Sequence, residues 1–361
     1  MGAKQPKPDV ELRSIASIAT NIGSLALAPD LSFIAVGGFA RIYILDSDSY
    51  KVKQELTLRF HFQVQQIYIE KDMSAMWTLT IKELVKWDLK SYSKMKEIHL
   101  KEYPMQSMHP MGDQVLIASE AYAWMYNLLE RRRSTQVVLN GVEETRFSHK
   151  CDEHMIISTG YKHDVRVYAS TTGFAEHVFE GHKEAIQTVD INYNYTILAS
   201  GSADGTAKLW DLTKTDNHML QSLKAHDQGV AGVKFVVFPD RIITTSLNGW
   251  IKIWNLENYE VLQTLKVVNE KFANIRQIQV TPDGSRAFFA CWHNRTIYSH
   301  RIGTPKSYLI CMRYFKLNGL LGKLRNSLFR DLFSFDSEWR KIAGIKATED
   351  VEPIVAVDEE D

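Results

Sequence analysis

The sequence predicts an all-β protein: a seven-bladed β-propeller of four-stranded blades, followed by a C-terminal helical extension and an acidic tail. Three observations predict it. Similar strand endings recur seven times at nearly even spacing, and the residues between them read as short β segments separated by turn residues. The chain has 361 residues, of which 45% are hydrophobic and 11% aromatic, enough for one large all-β domain with a packed core.

The repeated strand ending is an apolar or aromatic residue followed by a turn, most clearly in Trp87-Asp88, Trp210-Asp211 and Trp254-Asn255. Aligned on one column, the endings fall at positions 45, 87, 126, 168, 210, 254 and 300. A unit of this length holds about four strands and cannot bury both faces of its sheet alone. Seven such sheets arranged radially cover one another, which predicts a closed ring.

The clearest unit is 181–212, with β segments expected at 185–191, 195–200 and 206–210. Its residues Gly181-His182, Ser200, Asp204 and Trp210-Asp211 resemble the WD-repeat signature. The following unit resembles it more loosely, through His226, Thr244, Asn248 and Trp254. Elsewhere in 22–302 the resemblance depends on spacing alone, and beyond 302 there is none.

The resemblance implies a buried hydrogen-bonded chain in each of these two blades, formed by His182, Ser200, Asp204 and Trp210 and by His226, Thr244, Asn248 and Trp254. Because Asn248 stands where the acid is expected, the second chain should be neutral and weaker. The His182–Asp204 pair could also suggest catalysis, but the spacing of Ser200 and Trp210 favours a structural role. The remaining blades lack the full set, so apolar packing must hold them together.

We expect four segments: a flexible N-terminus at 1–10, the propeller at 11–303, a basic amphipathic helical extension at 304–347 and a disordered acidic tail at 348–361. The propeller needs its last blade sealed to its first, since open strand edges invite aggregation. The segment 11–19 is the favoured closing strand, and the more apolar 307–315 is the alternative. A leucine-rich stripe with helical spacing predicts the extension. Its helices either pack on the propeller or dock onto a partner protein or an anionic membrane.

Charge and cysteine content limit the function classes. The 43 Lys and Arg residues balance 43 Asp and Glu residues, which argues against nucleic-acid binding as the main activity. Three widely spaced cysteines imply no disulfide framework and favour a reducing compartment. Since no secretory signal or apolar run of membrane-spanning length is visible, we expect a cytoplasmic or nuclear location.

Two clusters of chemically active residues have ordinary alternatives. His149, Cys151 and His154 have a spacing that could hold a metal, but solvated loop residues are the favoured interpretation. The run of Arg131, Arg132 and Arg133 is either a solvated loop or, together with the C-terminal helix, a contact to an anionic membrane. No metal or cofactor is predicted.

The narrow face of such a propeller is built by the loops between successive blades and between the second and third strands of each blade. These loops are rich in aromatic and polar side chains typical of interface hot spots. The candidate partner-binding residues are Phe39, Phe62, Tyr103, Tyr161, Lys183, Gln228, Trp250, Trp292 and His293. The first hypothesis is therefore a non-catalytic protein-interaction scaffold. The alternative is a membrane- or phosphoinositide-recruited adaptor, and an enzyme with its site at the channel mouth ranks third.

Overall fold

The computed structural model describes residues 10–302, apart from short segments. The segments outside the description are 13, 100–104, 119–121, 130–131, 139–144, 152–154, 161–162, 170–171, 173, 193, 215–217, 237–240, 268–273 and 293. For residues 11, 118, 122–124, 132–138, 145–151 and 155–160 it describes the backbone only. The statements that follow concern the described residues.

Twenty-nine β-strands are present in the described part of the chain. Two N-terminal strands, β1 (Val10–Leu12) and β2 (Ser14–Ser17), precede the blades. Blade 1 contains β3 (Ser24–Leu27), β4 (Phe33–Gly37), β5 (Arg41–Asp46) and β6 (Val52–Thr57), and blade 2 contains β7 (Gln66–Ile69), β8 (Ala75–Leu79), β9 (Glu83–Asp88) and β10 (Lys94–His99). Blade 3 contains β11 (Ser107–Met111), β12 (Gln114–Ala118), β13 (Tyr122–Asn127) and β14 (Arg132–Val138). Blade 4 contains β15 (Thr145–Cys151), β16 (Met155–Gly160), β17 (Val165–Ala169) and β18 (Ala175–Phe179).

The last three blades follow the same pattern. Blade 5 contains β19 (Ile186–Ile191), β20 (Ile197–Ser202), β21 (Thr206–Asp211) and β22 (Met219–Lys224). Blade 6 contains β23 (Val230–Val236), β24 (Arg241–Ser246), β25 (Trp250–Asn255) and β26 (Val261–Val267). Blade 7 contains β27 (Ile275–Val280), β28 (Arg286–Cys291) and β29 (Thr296–Arg301). The expected segments of the clearest repeat correspond to β19, β20 and β21.

Within each blade, consecutive strands pair antiparallel in chain order. The first strands of successive blades contact one another in a cycle, β3 to β7, β11, β15, β19, β23 and β27, and β27 contacts β3 again. The all-β, seven-bladed fold predicted from the repeat spacing is therefore confirmed.

Apolar clusters fill the spaces between blades. Ile42 and Ile44 of blade 1 pack in one buried cluster with Met76 and Val85 of blade 2. Polar side chains add specific links where blades 7 and 1 meet: the Gln277 and Gln279 amides donate to the carbonyls of Gly23 (3.0 Å) and Leu25 (2.9 Å). Among the described side chains, such clusters join blades 1 and 2, 2 and 3, 4 and 5, 5 and 6, 6 and 7, and 7 and 1.

The Asp or Asn that ends the third strand stabilises the turn that follows. The Asp46 carboxylate accepts the Ser49 N–H (2.7 Å), and the Asp88 carboxylate accepts the Ser91 N–H (3.0 Å). Such side-chain capping by Asp and Asn is a local turn signal. It gives a physical reason for the recurring Trp-Asp and Trp-Asn endings.

The N-terminal segment forms two strands rather than the single strand expected at 11–19. β2 pairs antiparallel with β29 and is the fourth strand of blade 7. β1 pairs parallel with β26 and adds a fifth strand to blade 6. Val10, expected in the flexible terminus, is therefore the first residue of β1.

Side chains of this segment enter two interblade cores. Leu12 is buried in the cluster that includes Leu265 of blade 6 and Phe289 of blade 7. Ile18 is buried in the cluster that joins Phe288 of blade 7 to Val36 of blade 1. The chain before the first blade thereby connects blades 6, 7 and 1.

The chain divides into two units, Met1–Gly303 and Thr304–Asp361. The helical extension at 304–347, the acidic tail at 348–361 and the alternative closing segment 307–315 all lie outside the described residues.

Replacing Leu12 with Ala should lower the free energy of unfolding by about 2–4 kcal/mol, because the missing atoms leave a cavity between blades 6 and 7. Urea denaturation of the full chain measures this. Ser14→Ala, at an exposed position of β2, is the control and should change stability by less than about 0.5 kcal/mol. Equal stability of the two variants would contradict the interblade role of β1.

Candidate interaction face

Two kinds of loop lie at the same end of every blade. Because the four strands alternate in direction, the connection between the second and third strands lies beside the connection from the fourth strand to the next blade. We use the name narrow face for the end of the propeller formed by these loops. Its residues come from separate blades and are held by the sheets below them.

Hydrogen bonds tie the two loop types together. The Ala40 N–H donates to the Phe62 carbonyl (2.9 Å), and Phe39 forms a β-bridge with Gln63. The Lys183 N–H donates to the Asp204 carboxylate (2.9 Å). These contacts give the loops fixed positions on the sheets.

Six of the nine candidate partner-binding residues are described. The Phe39 side chain is 48% exposed in the β4–β5 turn, and Phe62 is half-buried in the β6–β7 loop. Trp250 and Trp292 are half-buried, and Lys183 and Gln228 are exposed. All six belong to loops or strand ends of the narrow face. Tyr103, Tyr161 and His293 lie outside the described residues.

In blade 5 the four residues singled out by the resemblance form a continuous chain. His182 Nδ1 donates to Asp204 Oδ2 (3.0 Å). The Ser200 hydroxyl donates to His182 Nε2 (2.8 Å) and accepts the Trp210 indole N–H (2.8 Å). Both ring nitrogens of His182 are therefore occupied within the protein.

The charge state of this chain follows from its surroundings. Burial raises the pKa of Asp204, but hydrogen bonds from Thr206 and Lys183 outweigh it and lower the value to about 2. Burial lowers the pKa of His182, although the bond to Asp204 opposes the shift. A neutral imidazole between an ionised carboxylate and a hydroxyl fits a structural role.

The tight turn beside this chain requires glycine. Gly205 has φ of +84°, a backbone conformation that other residues rarely adopt. A Cβ atom there would meet the His226 carbonyl oxygen at 2.2 Å. The turn of blade 5 therefore packs directly on the entry loop of blade 6.

The chain in blade 6 is shorter than expected. The Thr244 hydroxyl donates to His226 Nε2 (3.0 Å) and accepts the Trp254 indole N–H (3.0 Å). Asn248 does not join them, since its Oδ1 accepts the Ser246 hydroxyl (2.6 Å) instead. The amide carries no charge to attract the imidazole, so the side chain stabilises its own turn.

Blade 2 contains part of the same arrangement, which the sequence comparison did not identify. The Trp87 indole N–H donates to Thr78 Oγ1 (2.9 Å), as Trp210 does to Ser200. Among the described residues no histidine completes it, since His61 in the loop before β7 is exposed. The sequence signal for this hydrogen bond was the spacing of its two residues. Thr78 and Trp87 are nine residues apart, and the corresponding pairs in blades 5 and 6 are ten apart.

Sequence reasoning also missed a cluster at the junction of blades 1 and 2. The rings of Phe60 and His99 lie edge to face at 5.3 Å, and the Arg59 guanidinium lies 5.6 Å from the Phe60 ring centroid. A run of basic and aromatic residues at 59–62, immediately before a first strand, was the signal in the sequence.

Two sequence hypotheses fall largely outside the description. The side chains of His149, Cys151, Arg132 and Arg133 are not described, and Arg131 and His154 lie in undescribed segments. In the described part, no three His, Cys, Asp or Glu side chains are grouped to hold a metal ion. Nor does that part include a helix of the length and hydropathy that crossing a membrane requires.

Comparison with known proteins agrees with this geometry. The family model described as "WD domain, G-beta repeat" matches residues 173–211 and 217–255, which contain β18 to β21 and β22 to β25. The chain therefore contains two WD40 repeats. Outside the matched residues, the other blades have the same strand order.

The curated relatives are distant. A rice protein, small ribosomal subunit protein RACK1y, is 29% identical over 46% of this chain and 49% of its own length. Eukaryotic translation initiation factor 3 subunit I from Botryotinia fuckeliana is 29% identical over 48% of this chain and 51% of its own. Human apoptotic protease-activating factor 1 is 31% identical over 36% of this chain and 11% of its own. The chain therefore spans at most about half the length of these relatives.

Replacing Ser200 with Ala should lower the free energy of unfolding by about 1–3 kcal/mol, because His182 and Trp210 lose their shared buried partner. Urea denaturation measures the loss. Ser17→Ala at an exposed position of β2 is the control, expected within about 0.5 kcal/mol of the parent. A Ser200→Ala variant as stable as the control would exclude an energetic role for the chain.

Stability should depend on pH through His226. Burial lowers the pKa of His226 to about 3, whereas an unfolded histidine titrates near about 6.5. The unfolded chain therefore takes up this proton first, and stability is lost as the pH falls from about 6.5 toward 3. The loss should be on the order of 1 kcal/mol per pH unit.

The measurement is urea unfolding between about pH 7 and pH 5, above the titration range of ordinary carboxyl groups. His226→Gln should show a shallower decline than the parent, and substitution of the exposed His61 by Gln should leave the decline unchanged. Parallel pH profiles for the parent and His226→Gln would contradict the assignment.

Proposed function

We propose that this WD40 propeller is a non-catalytic scaffold that binds peptides or protein domains through its narrow face, as part of a multiprotein complex. The observation that carries the proposal is the set of narrow-face loops, which the sheets hold in place and which expose Phe39 beside polar and charged residues. Aromatic side chains surrounded by polar ones on a rigid frame are typical of interface hot spots.

The character of the relatives supports this proposal. Two of them are named as a small ribosomal subunit protein and as a subunit of an initiation factor, so both names denote components of larger assemblies. By extension, we infer an intracellular location, in the cytoplasm or the nucleus. Fold alone leaves catalysis open, but the His182–Asp204 pair, which suggested it, is engaged at both ring nitrogens.

The test compares two double variants of the full chain as bait in affinity capture. Gln228→Ala with Trp292→Ala alters the narrow face at blades 6 and 7. Phe174→Ala with Asn258→Ala alters exposed loops between third and fourth strands, at the opposite end. We expect the first pair to reduce recovery of the parent's partners about tenfold and the second to leave it unchanged.

Thermal unfolding separates binding from folding. Both double variants should melt within about 4 °C of the parent, the shift that roughly 1 kcal/mol produces in a domain of this size. Equal partner recovery by both variants would refute narrow-face binding, and so would loss of recovery in step with loss of stability.

A further inference from the structure

The loop between β6 and β7 carries the run Arg59-Phe60-His61-Phe62 and is held tightly against blade 1. The Phe62 N–H donates to the Phe60 carbonyl (2.9 Å), and the Ala40 N–H donates to the Phe62 carbonyl (2.9 Å). The Leu58 N–H in turn donates to the Ala40 carbonyl (3.0 Å). These bonds fix the backbone that carries the two phenylalanine rings, whose centroids lie 6.3 Å apart.

Two exposed cations lie over these rings. The Arg59 guanidinium is 5.6 Å from the Phe60 centroid, and the Lys82 ammonium is 5.7 Å from the Phe62 centroid. We call Phe39, Arg59, Phe60, Phe62, Lys82 and His99 the cationic-aromatic patch. Contacts of this kind orient a cation without neutralising it.

Among the described residues, the two exposed cations of the patch have no carboxylate partner. Within the described part of the chain, neither Arg59 nor Lys82 forms an ion pair, whereas Arg41 nearby is paired with Glu55. The neighbouring acids are already engaged or buried. Glu97 lies 3.4 Å from the Lys94 ammonium and 3.8 Å from His99, and the Glu83 residue is fully buried.

We propose that the cationic-aromatic patch binds an acidic linear segment of a partner protein, with carboxylates paired to Arg59 and Lys82 and an apolar side chain against Phe39. This rests on the proposed scaffold function and deepens it, because the patch is part of the narrow face. Complementary charge across an interface favours recognition of such a segment over neutral or basic ones.

The ring environment favours a carboxylate ligand over a nucleic acid. One face of Phe60 and one face of Phe62 are covered by a cation, and Phe60 also meets the edge of His99. Single-stranded nucleic acids bind through open aromatic faces on which bases stack, along a long basic groove. Two separate cations in a chain of zero formal net charge match a short acidic peptide better.

The probe is a short fluorescein-labelled peptide of glutamates around one leucine, with a glutamine-for-glutamate peptide as its control. Fluorescence anisotropy with the full chain should show binding of the acidic peptide that weakens as salt is raised. Arg59→Gln with Lys82→Gln should weaken it by roughly threefold to tenfold, as expected for two exposed charge contacts.

The matched control is Lys51→Gln with Lys90→Gln, which removes the same net charge from exposed loops at the opposite end of blades 1 and 2. It should leave affinity within about twofold of the parent, since screening limits interactions over such distances. Equal weakening by both double variants would mean general charge attraction and overturn the proposal. The proposal would also be overturned if Arg59→Gln with Lys82→Gln left peptide affinity unchanged. It would likewise be overturned if the patch bound an oligouridine more tightly than the acidic peptide.

This result is separable from the scaffold test, which alters Gln228 and Trp292 in other blades. Suppose that partner recovery falls in the Gln228 and Trp292 variant, while the affinity for the acidic peptide is unchanged in the Arg59 and Lys82 variant. The acidic-segment proposal then fails and the scaffold function stands. Suppose instead that peptide affinity falls in the patch variant, while partner recovery is unchanged in the Gln228 and Trp292 variant. The acidic-segment site then stands and the wider scaffold proposal fails.

Discussion

The propeller depends on mutual burial, since every blade uses its two neighbours to cover both faces of its sheet. Apolar clusters lie between blades, and one of them contains Leu12 from the start of the chain together with Phe289 from the last blade. A ring of this kind has no blade that is stable by itself and gains its full burial only when the last interface forms. The residues at 10–18 therefore influence a much larger structure than their number suggests, because they enter the clusters on both sides of blade 7.

Polar chains add specificity to this burial, in different degrees. In blade 5 an ionised Asp204 anchors the neutral His182, and the chain continues to an indole. Blade 6 retains the histidine, threonine and tryptophan but not the acid, and blade 2 retains only Thr78 and Trp87. A buried polar group is costly only if it lacks a partner. Each partial version is acceptable because its remaining members satisfy one another.

The number of sheets could be predicted from the sequence because the repeated strand endings and their turns are local signals. In five of the seven blades the third strand ends in Asp or Asn, at positions 46, 88, 127, 211 and 255. That side chain accepts a hydrogen bond from the next turn, so the turn is encoded within a few residues of the repeat ending. The division of the N-terminal segment between two blades was not predictable in this way. The pairing of Val10 with Leu265 depends on which blade edge lies beside the incoming chain. Likewise, Arg59 and His99 are 40 residues apart and meet only when blades 1 and 2 pack.

Cations of the propeller that form ion pairs differ in role from the cations of the cationic-aromatic patch. The paired cations stabilise the structure, whereas those of the patch are available for recognition. Lys53 pairs with Asp46 and Lys234 with Asp190, each within its own blade or with the adjacent one, and each thereby satisfies a carboxylate of the frame. Arg59 and Lys82 pair with no carboxylate of the described residues, yet they lie over Phe60 and Phe62 in a loop whose backbone is held in place. A charge that is oriented but not neutralised adds little to the stability of the isolated fold. Its interaction energy is instead available to an acidic group that arrives from outside, and a rigid frame reduces the ordering cost of that encounter.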